Sequence, residues 1–142
     1  MKTLFTRFFV MAVLVGALVA SGVRAQYNNT VVFKAPGSFI AGDATFPAGT
    51  YIIRQDQDDL GLWEISDDSK SHSAYVQTET VDMASANQVT QVTFHKYGNT
   101  LALKEIVLTG LNTRYLVHTS YSEKKAAKSG KPTKVSVPAE KK

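Results

Sequence analysis

The chain has 142 residues, a formal net charge of +4 and no cysteine, which excludes thiol redox chemistry and a disulfide framework. The charge is unevenly divided: residues 26–122 carry six basic side chains against ten carboxylates, a net of minus four, and residues 123–142 carry seven lysines against two glutamates, a net of plus five. An acidic body with a basic tail is unlike the basic face of a nucleic-acid-binding fold, so no nucleic-acid partner is expected.

Residues 1–25 have the three zones of a secretory signal. Lys2 and Arg7 make a positive start, and Phe8 to Ala20 is an uncharged apolar run of 13 residues. That run is too short to cross a bilayer core of ~30 Å at ~1.5 Å per helical residue. Val23-Arg24-Ala25 offers compact residues to a signal peptidase. Cleavage is therefore expected before Gln26, leaving 117 residues, the size of one domain, with no transmembrane segment and a periplasmic or extracellular destination.

The remainder consists of short runs of β-branched and aromatic residues separated by Gly, Pro, Asp and Asn, the pattern of an all-β domain. Strands are expected at Thr30 to Lys34, Ser38 to Ala41 and Thr50 to Gln55, with turns at Gly42-Asp43 and Phe46-Pro47-Ala48-Gly49. Tyr51 and Ile53 share one face of their strand. The acidic loop Asp56 to Asp59 leads to a strand over Leu60 to Ser66 with Trp63 and Ile65 on one side, and Ser73 to Val81 alternates weakly. Gln88 to Tyr97 and Thr100 to Leu108 form a hairpin around Gly98-Asn99, a pair suited to a tight primed turn. Leu101 and Leu103 differ in parity from Ile106 and Leu108, so a bulge near Lys104-Glu105 is expected to return all four to the core. Arg114 to Tyr121 reads as a last strand. Ser120-x-x-Glu123 has capping-box spacing for a short helix, and Lys131 to Lys142, with two prolines and little to bury, reads as a disordered basic tail.

The three histidines show no metal-binding spacing; His95 and His118, both on expected strands, are the weak metal candidates, and His72 lies in a polar turn. Asp56-Gln57-Asp58-Asp59-Leu60-Gly61 begins like a calcium loop but has Leu60 and Asp67 where an oxygen ligand and a glutamate belong, so it reads as a solvated acidic loop. Serine occurs in no nucleophile motif, and Ser71-His72-Ser73 is adjacent in sequence only. No catalytic or cofactor-binding residue and no cofactor is assigned. Trp63, Tyr51, Phe94 and Tyr97 read as core and cross-strand aromatics before they read as a ligand platform.

Two stretches carry a resemblance. Phe39-Ile40-Ala41-Gly42 with Phe46-Pro47-Ala48-Gly49-Thr50-Tyr51, and Phe94-His95-Lys96-Tyr97-Gly98-Asn99 with Leu101 to Ile106, resemble a group of uncharacterised short exported proteins abundant in soil acidobacteria. Phe46 and Val107 depart from the Leu and Trp usual there. The group implies no activity to carry over. The expected architecture is a single antiparallel β-sandwich or small partly open barrel of about seven to nine strands, with a short C-terminal helix at most. The expected domain spans 26–122, followed by a short helix and basic tail over 123–142. The expected function is non-enzymatic: an exported binding or envelope-associated structural module of unknown ligand, its basic tail reading first as a solubilising terminus and second as a contact to an anionic envelope surface. The alternatives are a small-ligand or metal carrier using the barrel mouth with His95 or His118 and, with less support, a hydrolytic enzyme.

Overall fold

Alternation of large apolar residues with polar ones carries just over half of the described residues into strands, and closure of eight of those strands into a barrel removes the open edges that such a sheet would otherwise expose. The computed structural model describes residues 29–142; the expected signal and its cleavage site lie outside the described residues. The strands are β1 (Thr30–Ala35), β2 (Phe39–Ala41), β3 (Ala44–Phe46), β4 (Gly49–Gln55), β5 (Leu62–Ser66), β6 (Ser73–Asp82), β7 (Gln91–Tyr97), β8 (Thr100–Val107), β9 (Thr113–Val117) and β10 (Thr133–Lys141). A helix, α1 (Tyr121–Ala126), and a 3-10 turn, Ala127–Ser129, precede β10.

Eight strands, in the order β8-β7-β10-β1-β4-β5-β6-β9, form a barrel that the antiparallel β9–β8 pairing closes. Two long strands divide their pairings. β6 pairs β5 through Ser73 to Gln77 and β9 through Thr78 to Asp82, while β8 pairs β9 through Glu105 to Val107 and the parallel β2 through Leu101 and Ala102. The β2–β3 hairpin thus extends β8 where β8 and β9 part. Its turn residue Gly42, at φ +60°, packs so near β6 that a Cβ would stand 3.2 Å from the Tyr75 carbonyl.

The interior is filled. Phe33, Phe39, Phe46, Tyr51 and Phe94 form one aromatic cluster, with the Phe39 and Phe46 rings stacked at 5.0 Å and Phe39 edge-on to Phe94 at 5.3 Å. Trp63 packs edge-on against Tyr115 at 4.9 Å. Burying side chains of this size is the main favourable term available to a cysteine-free domain. The turn before β4 is closed by the Tyr51 hydroxyl, which donates to the Pro47 carbonyl at 2.5 Å, so the Pro-Ala-Gly-Thr-Tyr motif is scaffold.

The bulge lies where parity required it. Thr93 pairs with Glu105 and Phe94 with Leu103, leaving Lys104 as the extra residue, and Leu101, Leu103, Ile106 and Leu108 all reach the core. Gly98 has φ +59° while Asn99 keeps a negative φ, the pattern of a II′ hairpin turn.

The expected all-β antiparallel barrel with a short helix near the C-terminus forms: eight strands close it, and the β2–β3 hairpin brings the described residues to ten strands. Two expectations change. The last strand before the helix stops at Val117, and Tyr121 instead opens α1, 77 % exposed. The larger correction is the tail: residues 133–141 are not disordered but form β10, inserted between β7 and β1, and the domain runs through the expected boundary at residue 122. Val135, Val137 and Ala139 alternate toward the core. Each is small and only half-buried, so their period of two is inconspicuous, and the ordering cost is offset by ladder bonds to two neighbours.

Candidate functional site

Side chains on β7 point inward at Val92 and Phe94 and outward at His95 and Tyr97. The Lys104 bulge gives β8 the matching outward group, and α1 lies over them. Ser120 caps the helix by accepting from the Glu123 backbone N–H at 3.1 Å, which places Glu123 in the first turn, only 2 % exposed. The Tyr97 hydroxyl donates to Glu123 Oε1 at 3.0 Å. Lys104 Nζ stands 3.5 Å from each carboxylate oxygen and donates to Thr119 Oγ1 at 2.7 Å. Ser122 donates from both its backbone N–H and its hydroxyl to Asp43 Oδ1, at 3.2 and 3.3 Å. The helix therefore ties together the β2–β3 turn, β7 and β8.

Burial, the Glu123 hydrogen bond and the Glu123 charge push the Tyr97 phenol up to about 12. Burial first, and then the Lys104 ammonium, holds the His95 imidazole below its ordinary value. A phenol so raised keeps its proton near neutrality, and the carboxylate already accepts from it. This cluster has the chemistry of a clamp, in which a buried charge is matched by an ammonium and a hydroxyl.

His95 thus faces outward, 3.5 Å from the Tyr97 hydroxyl, and does not line the barrel mouth. His118 is exposed just beyond β9, its backbone N–H donating to the Gln77 carbonyl. His72 pairs with Asp67 at 3.0 Å, which lowers the Asp67 carboxyl. The three histidines lie on different parts of the barrel, and no group of three potential metal-ligating side chains occurs among the described residues. The acidic loop is held by its own backbone: Asp56 Oδ1 accepts from the Asp58 and Asp59 N–H groups, and Asp59 Oδ1 from Gly61. Tyr51, Trp63 and Phe94 are core residues, and Tyr97 belongs to the clamp.

The outer surface holds two further features. Arg54, Glu64 and Tyr75 stand side by side across β4, β5 and β6. With Asp56 and Asp58 they line an open pocket of about 290 Å³, and Tyr75 is 59 % exposed. The second is basic. All seven lysines from Lys124 to Lys142 are exposed, whereas Glu123, one of the two carboxylates in that segment, is buried. Sequence reasoning missed the Tyr97–Lys104–Glu123 clamp. Its available signals were the capping-box glutamate, the shared parity of His95 and Tyr97, and the bulge at Lys104.

No helix among the described residues is long and apolar enough to cross a membrane. No family model, curated protein or solved structure matches the chain.

Proposed function

We propose that the chain is an exported, non-enzymatic, envelope-associated module of the acidobacterial type it resembles, acting through its outer surface on anionic envelope components. The observation that supports this reading is the terminal segment. Ordering α1 and β10 holds seven exposed lysines on the barrel, while the clamp removes the Glu123 charge from solvent. The acidic loops Asp56 to Asp59 and Asp67-Asp68 lie on the hairpins that flank β5. Seven exposed lysines gathered on one terminal segment attract that segment to a negatively charged surface. The filled interior agrees with a role carried by the surface.

The test is co-sedimentation of the full chain with vesicles of phosphatidylglycerol and phosphatidylethanolamine, compared with purely zwitterionic vesicles. Binding to the anionic vesicles alone, lost on raising salt from 0.05 to 0.5 M as the screening length falls from above ~10 Å to below it, is the expected result. Replacing Lys131, Lys134 and Lys141 with Glu should abolish it. Equal binding to both vesicle types, or no binding at low salt, would refute the reading.

A further inference from the structure

Of the ten strands in the described residues, β10 alone has no fully buried residue; Val135, Val137 and Ala139 are half-buried and the rest are exposed. It nevertheless fills a slot lined by well-buried strands, opposite Gln91 to Lys96 of β7 on one side and Val31 to Phe33 of β1 on the other. The hold is uneven. β10 has six register positions with β7 but three with β1. Pro138 has no N–H to give, and at Pro138 the pairing with β1 ends. Beyond it a cleft of about 540 Å³ separates Lys34, Ala35 and Pro36 from Val137 and Pro138. One side-chain hydrogen bond, Thr93 Oγ1 to Ser136 Oγ at 3.0 Å, joins β10 to its neighbours among the described residues.

The segment before β10 is built differently. Helix α1 is anchored by Glu123, Ser122 and the Ser120 cap. Residues 127–134 that follow are all exposed, and they include Gly130 at φ +135°, with nothing within 4 Å of where a Cβ would be. An anchored helix, an exposed connection and a shallowly held terminal strand are the components of strand exchange. An emptied slot would expose two sheet edges together with Phe33 and Phe94, so the vacancy strongly favours refilling by a strand of matching pattern. A second copy of this chain supplies that pattern identically, with every ladder bond and the Thr93–Ser136 contact reproduced.

We infer that β10 is an exchangeable closing strand, and that the slot between β7 and β1 is an interaction site for β10 of a second copy, giving a strand-swapped dimer. The clamp around Glu123 sets the limit of what exchanges. Everything up to α1 stays with its own barrel, and residues from the 3-10 turn onward cross over. This inference concerns self-association and stands independently of the envelope reading.

Because the chain has no cysteine, the full-length double variant Thr93→Cys, Ser136→Cys carries a single possible disulfide between the strands. Equal amounts of nitrogen-14 and nitrogen-15 copies are mixed reduced at high concentration, held below the unfolding midpoint in denaturant, returned to buffer and oxidised. The expected result is covalent dimers in which the disulfide-linked peptides, one carrying position 93 and the other position 136, include isotopic hybrids, with only intramolecular pairs when the same steps are done dilute. Exclusively non-hybrid pairs at every concentration would overturn the inference. Amide hydrogen exchange of the unaltered chain provides a second test: β10 should exchange well before β8, and exchange of both strands together through global unfolding would equally overturn it.

Discussion

The Tyr97 hydroxyl donates to Glu123 Oε1 at 3.0 Å, joining the last residue of a hairpin arm to the first turn of a helix 26 positions later in sequence. With Lys104 beside it, this contact fixes where the chain leaves the barrel and where β10 starts back.

Tyr97→Phe should therefore destabilise the protein by about 1.5–3 kcal/mol, the worth of a hydrogen bond to a charged group. Glu123→Ala should cost more, about 3–5 kcal/mol, because it leaves both the phenol and Lys104 without their partner. Denaturant unfolding of the two variants gives the order, and Tyr97→Phe proving the more costly would contradict the clamp.

The same contact is visible spectroscopically. In an alkaline absorbance titration, one tyrosine should ionise near pH 12, its phenol raised by burial and by Glu123. That late component should be absent from Tyr97→Phe. Its persistence would assign it to another residue.

His95 predicts an acid-side effect. Burial and Lys104 lower its folded-state value below the ordinary 6.5, and Lys134 lowers it further while Glu123 and Glu105 oppose. The unfolded chain then binds the proton more readily, so this residue's contribution is complete above pH 6.5 and is lost as pH falls below it. Stability of the unaltered protein should decline as pH falls below 6.5, and His95→Gln should flatten that decline. The Asp67 carboxyl, lowered by His72, acts only in the more acidic range. An unchanged slope in His95→Gln would exclude the imidazole as its origin.

Gly42 and Gly110 separate backbone conformation from contact. Both have positive φ, +60° and +83°, but a Cβ on Gly42 would press on the Tyr75 carbonyl at 3.2 Å, whereas Gly110 has nothing within 4 Å. Gly110→Ala should cost about 1 kcal/mol from backbone conformation alone, and Gly42→Ala should cost more. Equal costs would show that the β2–β3 turn has room to move.

Deleting residues 130–142 should lower the melting temperature by more than about 10 °C, since it removes a barrel strand and opens both its neighbours. A shift of a degree or two, as expected of a disordered tail, would show that β10 contributes little to closure.

The amino-acid sequence by itself determined what depends on neighbouring residues. Period-two alternation marked Tyr51 with Ile53 and Trp63 with Ile65 as core faces and a bulge near Lys104-Glu105, and short motifs marked Gly98-Asn99 as a turn and Ser120 as a helix cap, because pleat, turn and cap geometry reach only a few residues along the chain. Tertiary structure alone decided the rest. Val135, Val137 and Ala139 become a strand only because β7 and β1 present two unpaired edges, one lying 43 residues earlier at the Thr93–Ser136 contact and the other nearly the whole chain away. Glu123 becomes a buried charge only because a bulge turns Lys104 toward it and Tyr97 ends its strand beneath it. Such partners are chosen by closure of the barrel, and closure is a property of all eight strands at once.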